Sequence, residues 1–301
     1  MRNHLILSLG LGALSVVVAG GCATLNSFER TASGVLVSDQ QEASLGLQVK
    51  TDLETTQKVR YCSDAQVNDY VRGVANKVLT FANNDRPAVK WQVNVIDDPN
   101  TINAFATPGG YLYVYTGLLL LADNEAELAS VMGHEAGHVV ARHSAQSMVD
   151  QFGLEAVAKL ALGENPGVLG QLTSAVVSKG AILAHSRSHE DEADEYGARY
   201  SSMAGYDPHA LSSFFGKLKA KMGDTSGLTT WLSDHPATGD RINHINTYAQ
   251  ANNLTGKDLG VERFVPIRAR VKALPAVAPG AAPAAPAPAA PKSPPPGAPP
   301  A

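Results

Sequence analysis

Apolar side chains recur at three- and four-residue spacing through Val67, Tyr70, Val71, Val74, Val78 and Leu79, so residues 43–83 read as helix with one apolar stripe. The period then shortens to two. Trp91-Gln92-Val93-Asn94-Val95 alternates as a strand, Asp97-Asp98-Pro99-Asn100 marks a turn, and Tyr111-Leu112-Tyr113-Val114-Tyr115 alternates again behind Pro108-Gly109-Gly110. A helical pattern returns after Asn124, an N-cap with Glu127 as its capping-box carboxylate, and Leu128, Val131 and Val139 supply apolar positions. Residues 152–184 are apolar but interrupted by Glu164-Asn165-Pro166-Gly167 and by Lys179-Gly180. Neither half is long enough to cross a bilayer, and the pattern predicts two helices able to lie over a site like a lid. Tyr206-Asp207-Pro208 opens a further helix through Phe214, Phe215 and Leu218, and Trp231 adds to the core.

Both ends of the chain read differently from its middle. Met1-Arg2-Asn3-His4 leads through Leu5-Ile6-Leu7 and Val16-Val17-Val18 to Ala19-Gly20-Gly21-Cys22, the order of an export signal: charge, apolar stretch, small residues. Cys22 after small residues resembles the lipid-accepting cysteine of a bacterial lipoprotein, although Ala19 stands where Leu is more usual; the competing reading is an ordinary cleavable signal or an uncleaved anchor. Ala23, rather than Asp, points by analogy to the outer membrane. With Cys22 lipidated, Cys62 has no intrachain partner and reads as a small buried apolar residue. Beyond Val271 alanine and proline dominate, a composition that cannot bury a core and favours an extended spacer. The expected organisation is a signal at 1–21, a linker at 22–42, one domain at 43–271 and a disordered tail at 272–301. A formal net charge of -4 offers no basic field, so nucleic acid is set aside as a partner.

The candidate chemistry lies in the central helix. His134 and His138, four residues apart, point the same way and can hold one metal ion between them. Glu135 then sits beside the open side of the site, where a carboxylate can take a proton from a water at the metal. Catalytic zinc sites use three protein ligands. Ala141 and Ser144 stand where a metzincin needs Gly and His, so the third ligand must come from elsewhere. Ser186-Arg187-Ser188-His189-Glu190-Asp191-Glu192-Ala193-Asp194 offers acids on a second helix. Glu190 and Asp194 share a face, one to bind and one to orient a ligating imidazole, yet Asp191 with Glu195 is an equally good pair and His189 is itself a possible ligand. His143 falls five residues past His138, off the ligand face, and His185 has no sequence partner; both read as structural.

Four segments in order carry a resemblance: Asn103-Ala104-Phe105-Ala106-Thr107-Pro108-Gly109-Gly110-Tyr111; Tyr115-Thr116-Gly117-Leu118; His134-Glu135-x-x-His138 with Arg142-His143; and Ser186-Arg187-x-x-Glu190-x-Glu192-Ala193-Asp194. Together they are similar to the HtpX/BepA/LoiP family of gluzincin zinc metallopeptidases, which also contains the CAAX prenyl endopeptidases. The likeness spans residues 43–245. It implies an α+β fold, a mainly helical zincin-like domain with a small sheet before the metal helix. It also implies one zinc per chain held by His134, His138 and Glu190, with Glu135 as general base and Asp194 orienting a ligand. His235-Pro236 followed by Arg241-Ile242 resembles the family's H-P-x-x-x-x-R-I segment, whose His binds the metal or steadies the oxyanion, with Arg241 behind it. The interrupted 152–184 stretch separates the chain from the integral-membrane branch. A strand edge can grip an extended peptide without reading its sequence, so Asn103, Ala104 and Phe105 are the expected substrate edge. The expected function is cleavage of misfolded or stalled envelope proteins in the periplasm. The alternatives are a chaperone-like module that binds such proteins with little turnover and a small-molecule zinc hydrolase.

Overall fold

The computed structural model of the chain describes residues 37–179, 185–221, 235 and 239–275. Cys22 with its signal, Trp231 and nearly all of the Ala/Pro tail lie outside the described residues.

The first helical pattern resolves into two helices. Helix α1, Asp39–Thr55, begins inside the expected linker, where Ser38 and Gln41 form a reciprocal capping box. Helix α2, Ala65–Asp85, starts at the Asp64 side chain, which accepts the Val67 N–H. Lys58, at φ 52°, turns the chain between them so that residues 60–62 can meet the sheet. There Cys62 N–H donates to the Val95 carbonyl and Asp97 N–H to that of Arg60.

Strands β1 (Gln92–Ile96), β2 (Ala104–Thr107) and β3 (Tyr111–Tyr115) form a sheet in the order β1-β3-β2. β1 runs parallel to β3, and β2 is antiparallel to it with Ala104 opposite Val114. Every residue of β3 is buried, because the sheet is covered on both faces. Val93, Val95, Leu112 and Val114 join the core made by α2 and the metal helix. Tyr111, Tyr113, Tyr115 and Phe105 face a second cluster with Leu45, Leu53, Met148, Leu160 and Leu172.

After the short α3 (Thr116–Leu121) comes α4, Glu125–Val140, capped by the Asn124 side chain on the Glu127 N–H. Apart from Val140, α4 is buried along its whole length, enclosed by α2, β2 and the helices that follow. Three helices come next: α5 (His143–Phe152), α6 (Leu154–Ala161) and α7 (Pro166–Lys179). The apolar stretch predicted to form two helices over a site therefore does form helices, and α6 and α7 bury their apolar faces against α1 and the tyrosine side of the sheet. α8 (Arg187–Met203) lies along α4, and α9 (Ala210–Lys221), α10 (Gly239–Ala251) and α11 (Val261–Lys272) complete the shell. No helix among the described residues is long and apolar enough to cross a membrane.

Candidate metal centre

Two helices pack together where the chemistry sits, and glycines set their distance. A Cβ on Gly137 of α4 would lie 2.7 Å from Cβ of Tyr196 on α8, and one on Gly133 would lie 3.3 Å from Cα of Gly197. Lacking those atoms, α4 and α8 approach closely enough for their polar faces to meet. His134 Nε2 and His138 Nε2 lie 3.1 Å apart. Glu190 of α8 reaches both, with Oε2 3.6 Å from His134 Nε2 and Oε1 3.4 Å from His138 Nε2. His235 completes the group, its Nδ1 3.0 Å from each Glu190 oxygen and 3.3 Å from His134 Nε2. One ligating atom from each of these four buried residues lies within 4.8 Å of the others.

That donor set fits a metal ion. Two imidazole nitrogens and a carboxylate converge on one buried point, and imidazole with carboxylate is a ligand set zinc accepts. Charge is arranged to match. Burial, together with the His185, His134 and His143 imidazoles, pushes His138 well below the ordinary imidazole range, so it stays neutral and keeps its lone pair. Burial would raise Glu190, but the His235 and Arg241 cations outweigh it and keep the carboxyl ionised. His235 is pushed up to about 9, because Glu190 and Glu135 overcome its burial. Glu135 is buried beside the group, 3.6 Å from His235 Nε2, with its pKa raised by burial. Ala106 N–H donates to its carboxylate.

Around these residues a further layer holds the ring planes. Asp194 Oδ1 lies 3.0 Å from His134 Nδ1, and Arg241 grips Asp194 through Nε at 2.8 Å and a terminal nitrogen at 2.7 Å. The same guanidinium places another nitrogen 2.9 Å from Glu190 Oε2. Arg241 is thus engaged by two carboxylates and stacked over Phe215. Of the two registers, the one with Glu190 faces the imidazoles, whereas Glu195 pairs with His244 at 3.2 Å.

The expected substrate edge needs correction. Tyr115 N–H donates to the Asn103 carbonyl, so residues 103, 105 and 107 face β3 and residues 104 and 106 face away from it. Phe105 also stacks on Tyr113 at 4.6 Å, inside the second core. Asn103 and Phe105 therefore turn their N–H and C=O groups to β3, and those of Ala104 and Ala106 point the other way, where Ala106 N–H is taken by Glu135; all of β2 is buried. His143 was read as structural and is placed instead against His138, Nδ1 to Nδ1 at 3.0 Å. His185 stacks on the His138 ring at 4.0 Å. Helical spacing hid His143, because α4 ends at Val140 and Arg142, at φ 65°, turns the chain back toward the ligands.

Comparison with known proteins agrees with this site. Residues 65–249 match the sequence model of peptidase family M48. The chain is 34% identical over 179 residues to the mitochondrial metalloendopeptidase OMA1 of Schizosaccharomyces pombe, covering 60% of this chain and 52% of that protein. It is 32% identical over 227 residues to a putative beta-barrel assembly-enhancing protease of Vibrio cholerae, covering 70% and 45%, and 27% identical over 247 residues to the beta-barrel assembly-enhancing protease of Escherichia coli, covering 79% and 50%. It thus spans about half the length of these relatives. The matched region contains α4, α8 and all four residues of the cluster, and the chain belongs to peptidase family M48.

Proposed function

We propose that this chain is a zinc-dependent endopeptidase, with one zinc per chain, that cleaves misfolded or stalled envelope proteins in the periplasm while tethered to the outer membrane through lipid on Cys22. One observation carries the enzymatic part: His134 and His138 of α4 and Glu190 of α8 meet at one buried point beside Glu135. The envelope setting draws on the Vibrio and Escherichia relatives, whose names specify beta-barrel assembly, and on the signal-like start of the sequence.

Zinc, when bound, polarises a peptide carbonyl and lowers the pKa of water to about 7. His134, His138 and Glu190 hold it, while Asp194 and Arg241 keep His134 and Glu190 in place. Glu135, steadied by Ala106 N–H, takes the proton from the attacking water and returns it to the leaving amine. Three protein ligands would suffice for such a site, and His235, held as an imidazolium beside Glu190, would have no lone pair to add as a fourth. Its charge can instead steady the oxyanion. The N–H and C=O of Ala104 are not used by the β2–β3 ladder, and an extended substrate would pair with them by backbone alone once this buried edge is uncovered. Edge pairing suits unfolded chains of any sequence.

The test compares metal content and cleavage of an unfolded protein for the parent and Glu190→Ala. Stoichiometric zinc in the parent, with loss of both zinc and cleavage in the variant, is expected. Equal zinc in both would remove Glu190 as a ligand.

A further inference from the structure

A ligating imidazole needs its second nitrogen held, and the two histidines of α4 are held in different ways. His134 Nδ1 faces the Asp194 carboxylate. His138 Nδ1 faces another imidazole, His143, which is itself buried and whose Nε2 lies 3.4 Å from Glu192 Oε2. Two Nδ1 atoms 3.0 Å apart share one proton, so one must donate and the other accept. Were His143 the donor, the neutral His138 would carry its own proton on Nε2, and its lone pair would point away from the metal. With His138 as donor, Nε2 is free to ligate, and the proton of His143 falls on Nε2, directed at Glu192. A carboxylate at that end favours the second arrangement.

We infer that His143 and Glu192 form a positioning relay that locks His138 in its metal-binding tautomer and ring orientation; this rests on the zinc reading given above. Stacking supports the geometry. His143 lies against His189 with centroids 4.2 Å apart and planes 13° from parallel, and His185 covers His138 at 19°. Arg142, whose left-handed conformation delivers His143, is pinned by the Val37 carbonyl, Asp39 and Glu42.

The experiment measures zinc affinity of the full chain by competition with a chromophoric chelator, and the visible spectrum of the cobalt-loaded protein. It compares the parent with His143→Phe, His143→Gln, Glu192→Ala and the His143→Phe/Glu192→Ala double variant. Loss of the relay in His143→Phe is expected to weaken zinc binding by about 10–100-fold and to shift the cobalt bands. Glu192→Ala should weaken it by a smaller factor, and His143→Gln, which retains an acceptor, should recover part of the loss. Because the two residues act in series, the double variant should bind zinc no more weakly than His143→Phe alone. If His143→Phe does not fold, the peripheral Glu192→Ala decides the matter by itself. Single variants within about twofold of the parent, or losses that multiply in the double variant, would overturn the relay. A parent that takes up no zinc would overturn the metal reading itself.

Discussion

Glu135 is the residue whose chemistry can be isolated most cleanly, because Gln has the same shape and no basicity. Glu135→Gln should keep stoichiometric zinc, since the ligands are untouched, and should lower kcat by about 10²–10⁴-fold, the usual contribution of a positioned acid-base group. If that variant fully complements a deletion strain, turnover is not the function and the chaperone-like reading takes over. Ala104 tests the edge. Its N–H is unused by the β2–β3 ladder, so Ala104→Pro removes one donor from the outer side of β2 without breaking that ladder. KM for an unfolded substrate should rise strongly with zinc content unchanged, and unaltered kinetics would refute edge pairing. His134, Glu135 and His138 were legible because four-residue spacing on a helix fixes direction. His143 and the division of labour along 103–106 were not, since each depends on where a regular element ends or which partner a strand finds.

At the scale of elements the site depends on how closely α4 and α8 approach. A Cβ on Gly137 would meet Cβ, Cγ and Cδ2 of Tyr196 at 2.7, 3.1 and 3.1 Å, atoms too near the α8 backbone to swing aside. Gly137→Ala gains about 1 kcal/mol of helix propensity, but overpacking costs typically about 1–3 kcal/mol. The clash should prevail, lowering Tm and, because α8 carries Glu190, weakening zinc binding as well. Gly73→Ala on α2 is the matched control: nothing lies within 4 Å of the added carbon, so a gain of about 0.5–1 kcal/mol is expected. Thermal melts with chelator competition on both variants check the pair. Periodicity revealed α2, α4, β1 and β3, yet it ran α1 and α2 together and gave no signal for β2. The break at residues 56–64 has no strong punctuation, only a Lys in a left-handed turn and a tertiary need to reach β1.

The whole molecule is drawn together at the N-terminus of α4, around Glu125. This buried carboxylate accepts from Tyr70 at 2.6 Å and Lys77 at 2.9 Å on α2, from Tyr206 before α9, and from Arg263 of α11 at 3.0 and 3.1 Å. Segments distant in sequence therefore meet on one charge, which the positive end of the α4 dipole also favours. Burial would raise its pKa, but the hydrogen bonds from Arg263, Tyr206, Tyr70 and Lys77 prevail and bring it down to about 2, from 4.5. A carboxylate with a lower pKa folded than unfolded contributes stability that is complete above its unfolded value. That contribution is lost as pH falls through the folded one. Denaturant midpoints should therefore decline between about pH 4.5 and pH 2, and Glu125→Gln should be less stable at pH 7 while losing less over that interval. Burial raises Glu42 and Glu127, so those groups oppose the trend in parent and variant alike, and the difference between the two curves isolates Glu125. Parallel curves would mean that the hub is held by packing of Tyr70, Tyr206 and Phe264 rather than by its charge.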